Sequence, residues 1–268
     1  MARGSWLTAD SLKIGLSCYE LKALGYALLI MKIGTNEWSK LIIDGARSFD
    51  IDLDRRHTDR FAAYAAELLH WNKTINLTTI TDPYEVAVKH FVDSLAPAKL
   101  VSTGATLLDI GSGGGFPGIP LKVVNPTLSI TLIDASRKKV SFLKHVIRTL
   151  KLEGIEALHI RAQDLAGDPA CRAYFDSITG RALTDLTSFI QLALPLLSSK
   201  GKILALKGMV DQTELETVRS HVLEEQNNSG FNYRPYCLAV EPYDLPFTQS
   251  KRSIIKIWQI SRKIREKF

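Results

Sequence analysis

The sequence predicts an α/β fold, a mostly parallel seven-stranded sheet covered by helices and preceded by a helical N-terminal extension. Three observations carry that prediction. From Ala105 onward, short β-rich runs alternate with amphipathic helical stretches. The first of those runs ends in a dense cluster of glycines. The residues before Ala105 show helical rather than alternating periodicity. A chain of 268 residues, 46% of them hydrophobic, is long enough for one large domain with an appendage and buries about three-quarters of its unfolded surface.

Residues 1–40 read as an extension without an assignable structure, with Met31 a candidate start. Residues 41–104 read as helical. Phe61, Tyr64, Ala65, Leu68 and Leu69 share one helix face, and Asp82-Pro83-Tyr84-Glu85 combines capping-box spacing with proline at the first helical position, opening a helix that runs to about Leu95. Ser102-Thr-Gly104 joins this region to the sheet domain at 105–260. Strands are predicted at Thr106–Ile110, Ser129–Asp134, Ala157–Arg161, Asp176–Arg181 and Gly201–Lys207. Between the second and third, Val140, Leu143, Ile147 and Leu150 recur at helical spacing. After an acidic helix at 211–225 and a loop at 226–230, Tyr236–Glu241 and Ser253–Ile260 close the sheet, leaving a basic tail at 261–268.

No apolar run reaches the roughly 18 residues that cross a bilayer, since Lys22 and Lys32 interrupt the longest candidate, Leu21 to Ile33. Cys18, Cys171 and Cys237 form neither a CxxC nor a Cys/His cluster, so neither a disulfide framework nor a metal site is expected, and a reducing cytoplasm suits the chain. The net charge of +6 is unevenly spread. Residues 137–151 and residues 251–268 each carry +6, which leaves the remainder at −6. Segregated positive charge is the footprint of a polyanionic partner, although a solvated face is the plainer reading.

The most specific local pattern is Asp109-Ile-Gly111-Ser-Gly113-Gly-Gly115-Phe-Pro-Gly118. A strand, a glycine turn and a helix in that order let a ligand approach the backbone. Gly113, Gly115 and Gly118 match GxGxxG, which would also suit a nicotinamide enzyme. Asp109, at the strand end where dinucleotide enzymes continue an apolar strand, instead suits a ligand with a cationic tail. Asp134, 21 residues after Gly113, stands where a carboxylate accepts hydrogen bonds from ribose hydroxyls. An adenosine with a cationic tail and no phosphates is S-adenosylmethionine. At the next strand ends, Gln163 could reach the adenine, and Arg181 and Lys207 could face cofactor or substrate.

The acceptor atom can be narrowed by elimination. Cytosine carbon needs a cysteine nucleophile, and no cysteine is placed for it. Exocyclic amines are usually held by an Asn- or Asp-Pro-Pro-aromatic turn after the fourth strand, where this chain has Thr179-Gly-Arg-Ala182. What remains is an oxygen needing a base or a ring nitrogen with a free lone pair. Guanine N7 loses no proton before attack, so alignment and electrostatics suffice.

These residues resemble the ribosomal RNA small-subunit methyltransferase G family, also called glucose-inhibited division protein B. The likeness runs from about Leu68 to Ile260, through Trp71-Asn-Lys-Thr-Ile-Asn76-Leu-Thr78, His90-Phe-Val-Asp93-Ser94, the glycine block to Pro120, Arg161-Ala-Gln163, Arg181-Ala182, Ala205-Leu-Lys207-Gly208, Leu245-Pro246 and Arg252. The glycine block with its two prolines is highly specific and the rest are individually weak. The resemblance implies a class I S-adenosylmethionine-dependent methyltransferase, Rossmann-like, that methylates N7 of a 16S rRNA guanosine. It implies cofactor contacts from Gly111, Phe116, Ala162, Gln163 and Arg181, beside Asp109, Gly113 and Asp134. It directs attention to Asn76, Lys89, His90, Asp93, Lys207 and Arg252 for substrate, with 16S rRNA or the small subunit as partner and neither a membrane nor a stable protein partner. Gln163 stands where an acid is expected. His90 and Asp93, three apart on a predicted helix, are expected to be within touching distance. A small-molecule methyltransferase, a non-catalytic RNA-binding protein and a nicotinamide oxidoreductase are the competing readings.

Overall fold

The computed structural model describes residues 31–181, 185–228 and 236–259. Its sheet has seven strands in the order β3-β2-β1-β4-β5-β7-β6, with β1 Thr106–Ile110, β2 Ser129–Asp134, β3 Ile155–His159, β4 Phe175–Arg181, β5 Leu197–Lys207, β6 Tyr236–Asp244 and β7 Lys251–Gln259. β1 through β5 are parallel, while β7 runs antiparallel to both β5 and β6. The strand order reverses between β1 and β4, and ligands of open α/β sheets bind in the crevice at such a point.

Alternation along the strands builds two cores. Leu107, Leu132 and Leu206 face one side with the N-terminal helices, and Leu108, Ile133, Ile178 and Ala205 face the other. On the first side lie helices α1 Asn36–Arg47 and α2 Arg55–Asn72. Thr35 caps α1, and Asp54 and His57 form a capping box on α2. The next helical stretch, α3, is α-helical at Pro83–Glu85 and at Asp93–Leu95 and π-helical at Val86–Val92 between them. Asp82 accepts a hydrogen bond from the Glu85 N–H, as the capping spacing predicts, but the Glu85 carboxylate pairs with Lys89. α4 Gly118–Val124 and α5 Arg137–Thr149 complete this layer. Opposite them lie α6 Ala162–Gly167, α7 Leu186–Ala193 and α8 Gln212–Asn228.

Phe61, Tyr64, Ala65 and Leu68 are buried as the helix face predicts and pack with Trp38 and Phe91 into the same core as the sheet, while Leu69, expected on that face, is only half-buried against it. The Trp38 indole N–H donates to the Pro83 carbonyl at 2.9 Å, which ties α1 to α3.

β4, β6 and β7 depart from their expected limits by one to three residues, and the departures of β3 and β5 have a legible reason. β3 sits two residues earlier than predicted, because Ile155 pairs with Ile130 and the pairing ends where His159 meets Asp134. Arg161 then leads into α6. β5 begins at Leu197 rather than Gly201, since a register shift opposite Phe175 and Ser177 lets the strand continue past an irregularity. α8 continues through Asn228, where a loop is expected from Gln226, and Cys18, residues 229–230 and the 261–268 tail lie outside the described residues.

Phe91 is fully buried with ring contacts to Trp38, Phe61, Tyr64 and Phe116. Phe91→Ala is therefore expected to lower unfolding free energy by about 3–5 kcal/mol. Urea titration checks this through the midpoint, and a loss below about 1 kcal/mol would contradict the packing described.

Candidate functional site

The glycine loop between β1 and α4 is held from three sides. Asp109 is fully buried and its Oδ2 accepts the Gly118 N–H at 3.0 Å, while Oδ1 has no partner. Asp134 Oδ2 accepts the Gly113 N–H at 3.0 Å and Oδ1 accepts the Ser136 N–H at 2.8 Å. From α2 the Tyr64 hydroxyl donates to the Gly114 carbonyl. Gly115, at φ +92°, would place a Cβ 2.5 Å from that hydroxyl. Gly111, at φ +67°, has nothing within 4 Å of the corresponding position, so backbone is open to a ligand there.

That open backbone belongs to a cavity of about 350 Å³ at the ends of β1, β2 and β3. Ile110, Ile133 and Ile160 give it apolar walls, and Asp134, Ala162 and Gln163 border it. Each Asp134 oxygen has accepted one backbone hydrogen and retains acceptor capacity. Of the predicted cofactor residues, Gly111, Asp134, Ala162 and Gln163 meet here. Asp109, Gly113, Phe116 and Arg181 do not line this cavity. Asp109 and Gly113 shape the loop, and Phe116 is stacked between Tyr64 and His90, with ring centroids at 5.2 and 4.5 Å. An adenosine fits these surroundings, with isoleucine walls, a carboxylate at the second strand end and no basic residue in Gly111–Gly118, the one basic residue among the described lining being Arg161 beyond β3.

A second cavity, about 620 Å³, contains all six predicted substrate residues, Asn76, Lys89, His90, Asp93, Lys207 and Arg252, together with Arg181 and Tyr243. Arg181 ends β4 and its guanidinium lies 4.8 Å from the Phe116 ring centroid. It donates to the Lys89 carbonyl at 2.9 Å and to His90 Nδ1 at 3.2 Å, and sits 3.7 Å from Asp93 Oδ2.

A guanidinium only donates, so His90 Nδ1 is the acceptor and Nε2 carries the hydrogen toward Thr78 Oγ1, 2.9 Å away. Burial first, and then the Arg181 charge, hold His90 down to about 3, so the ring is neutral. Burial likewise pushes the Asp93 carboxyl up, opposed by Arg181, the Tyr243 hydrogen bond and Arg252. The Tyr243 hydroxyl donates to Asp93 Oδ1 at 2.9 Å, and Arg252 Nε is 3.7 Å from the same oxygen. Lys89 is paired with Glu85 and Lys207 with Glu214.

The expected approach of His90 to Asp93 is not what forms. The π-helical turn changes the angular spacing of α3, and Arg181 comes between the two side chains as their shared partner. Reasoning from sequence missed three residues. Asn72 Oδ1 accepts the N–H groups of Leu77 and Thr78, and its Nδ2 donates to the Thr78 carbonyl, folding the loop that presents Asn76 at φ +21°. Thr78 Oγ1 accepts the Nε2–H of the tautomer that Arg181 sets. Tyr243 pairs across the hairpin with Arg252. Asn72 lay inside a quoted motif, and its Asx-type reach to residues five and six ahead was the available signal.

Among the described residues no helix is long and apolar enough to cross a membrane. Residues 57–231 match the family described as rRNA small subunit methyltransferase G. The ribosomal RNA small subunit methyltransferase G of Geobacter metallireducens is 41% identical over 219 residues, which is 82% of this chain and 95% of that protein. The protein of the same description from Geotalea uraniireducens is 46% identical over 180 residues, covering 67% and 81%. In fold, the chain is similar to a crystal structure from Pyrococcus horikoshii described as a transferase, with a TM-score of 0.50 at 15% identity over 63% of each chain.

His90 and Asp109 bias stability in opposite directions. An unfolded histidine protonates below about 6.5 whereas the folded His90 resists to about 3, so its contribution is complete above 6.5 and is lost as pH falls. Asp109, raised by burial from 3.8 to about 7, holds a proton in the folded chain that the unfolded chain releases, so stability falls as pH rises across that window. The unfolding free-energy difference between wild type and His90→Gln should therefore widen with rising pH by about 1.4 kcal/mol per unit from pH 5 to 6.5, then level off. For Asp109→Asn the difference should change in the opposite sense. Urea titrations at four pH values check both, and a pH-independent difference would remove the assignment.

Proposed function

We propose, because this chain belongs to the rRNA small subunit methyltransferase G family, that it transfers the methyl group of S-adenosylmethionine to N7 of a guanosine in 16S rRNA, in the cytoplasm, with the small ribosomal subunit or its RNA as partner. The observation that carries this reading is the pair of cavities at the carboxyl ends of the strands. One is bordered by the glycine loop and Asp134, and the other is lined by Lys89, Arg181, Lys207 and Arg252. Phe116, on the loop of the first, is stacked on His90 and contacts Arg181 of the second.

Gly111, Ala162 and Gln163 would hold the adenosine, with Asp134 accepting from the ribose through the lone pairs its backbone contacts leave free. When bound, the cofactor supplies an electrophilic methyl group on a sulfonium. The residues of the larger cavity do the rest. Lys89 and Lys207 can exchange their glutamate partners for phosphates, and Arg252, held at 3.7 Å, is the less committed cation. Asn76, turned outward by the Asn72 clamp, offers an amide to the nucleotide.

His90 is not free to remove a proton from a bound base. His90 uses Nδ1 to accept from Arg181 and Nε2–H to donate to Thr78. An acceptor such as N7, whose lone pair is already free, needs alignment and not a base. Neither Cys171 nor Cys237 lines either cavity, which fits the absence of covalent activation.

The test is incubation with methyl-labelled S-adenosylmethionine and small subunits from cells lacking this protein, followed by mass mapping. Label at guanine N7 in 16S rRNA is expected, and its absence with cofactor binding intact would sink the reading. Asp134→Ala is expected to weaken S-adenosylmethionine binding at least about tenfold by calorimetry, since both loop anchoring and a ribose contact are lost.

Binding to RNA should also weaken linearly in log–log salt titration, with a slope near −0.7 to −0.9 per phosphate neutralised. Replacing Arg137, Lys144 and Arg148 together with alanine should make that slope shallower by about 2. An unchanged slope would place the RNA elsewhere.

A further inference from the structure

We infer that Asp93 reads the Watson–Crick edge of the target guanine and stabilises the positive charge that attack by N7 places on the purine. This rests on the methyl-transfer reading above and specifies how one residue serves it.

Among the described residues lining the larger cavity, Asp93 is the one carboxylate, and Lys89, Arg181, Lys207 and Arg252 are cationic. It is 6% exposed. Its Oδ1 accepts from Tyr243, but Oδ2 makes no hydrogen bond among the described residues. The two arginines stand 3.7 Å from its oxygens, close enough to favour its charged form against the upward push of burial and too far for a hydrogen bond. A buried carboxylate oxygen with unspent acceptor capacity and no bidentate arginine is poised for a donor from outside.

Guanine supplies that donor. A base taken out of its stack is read on its Watson–Crick edge, and guanine presents N1–H and the 2-amino group there. Adenine presents a lone pair at N1, which would face the carboxylate lone pairs, so the same oxygen selects for one purine and against the other.

The chemistry then makes the contact catalytic. The N7 lone pair forms the new N–C bond as the S–C electron pair returns to sulfur, and no proton leaves N7. The purine gains one positive charge and its N1–H becomes a stronger donor. A hydrogen bond from N1–H to a fixed carboxylate is therefore stronger in the transition state than in the ground state, which is the condition for acceleration. The surrounding cations attract the RNA backbone but oppose a cationic base, and His90 is neutral with both nitrogens engaged. Asp93 is the group of the right sign.

The experiment first maps the wild-type product, and then compares wild type, Asp93→Asn, Asp93→Glu and Tyr243→Phe. Each is assayed on small subunits carrying guanosine or adenosine at the mapped position. A wild type that labels no subunit refutes the underlying reading, and this assignment of Asp93 with it. If it does label, Asp93→Asn should lose about 100-fold or more in single-turnover rate on guanosine. Its affinities for particle and S-adenosylmethionine should remain within about threefold, and its adenosine-to-guanosine rate ratio should rise. Tyr243→Phe should lose less than about tenfold with an unchanged ratio. Asp93→Glu should recover part of the rate. Independently of any variant, the wild type should methylate adenosine particles at least about 100-fold more slowly. Wild-type methylation of adenosine within threefold of guanosine, or an Asp93→Asn rate loss with no change in ratio, overturns the assignment of Asp93.

Discussion

The Arg181 guanidinium is the interaction on which the rest of the architecture depends. Burying a cation at the end of a central strand costs several kcal/mol unless it is fully partnered, and burial does lower its proton affinity from the ordinary arginine value. Its partners come from three separate parts of the chain. Phe116 lies on the glycine loop, Lys89, His90 and Asp93 on α3, and Tyr243 and Arg252 reach Asp93 from the terminal hairpin. The strand that carries Arg181 adjoins β1, whose end carries the loop. One charged group thereby ties the sheet to its helical extension, and does so at the topological reversal where a ligand would sit.

The π-helical turn in α3 shows how backbone irregularity serves that arrangement. Val86, Ala87, Val88, Phe91 and Val92 are all fully buried, so this segment is packed nearly all round rather than along one stripe. From this segment His90 meets Thr78 and Arg181, and Asp93, just after it, meets Tyr243. Widening one turn separates the two polar side chains enough for a guanidinium to lie between them. The stack Tyr64–Phe116–His90 then runs from α2 through the loop to α3. Displacement of the Phe116 ring would be felt by both the helical region and the larger cavity.

Much of this was legible in the sequence because it rests on local pattern. β1 and β2 match their predicted limits, and the buried face of α2 follows from residues spaced three and four apart. The glycine block reveals a ligand loop because only glycine tolerates φ near +92° with a tyrosine hydroxyl 2.5 Å from the missing Cβ. Roles set by register were not legible. Tyr243 meets Asp93 across 150 residues, and only the β6–β7 pairing places it beside Arg252. The departure of α3 from α-helical geometry had no signal in periodicity either, since hydrophobic spacing does not distinguish an inserted π turn from a fully buried helix.

Charge placement separates recruitment from chemistry. Arg137, Lys144 and Arg148 on α5, and Lys151 just beyond its end, are exposed while Val140, Leu143 and Val146 are buried, and none of the four basic residues has an ion-pair partner among the described residues. A helix exposed only to water usually intersperses acids at i and i+4 spacing, because like charges there repel; this one carries none between residues 137 and 151. Within the larger cavity the pattern is different, since Lys89 and Lys207 are each neutralised by a glutamate and the arginines flank a carboxylate. An unneutralised cavity would bind phosphate more strongly and would disfavour a base that becomes cationic as it reacts. Under the proposed methyl transfer to N7, free positive charge on the outer helix and compensated charge inside would meet two opposed demands, attraction of a polyanion and tolerance of a developing cation.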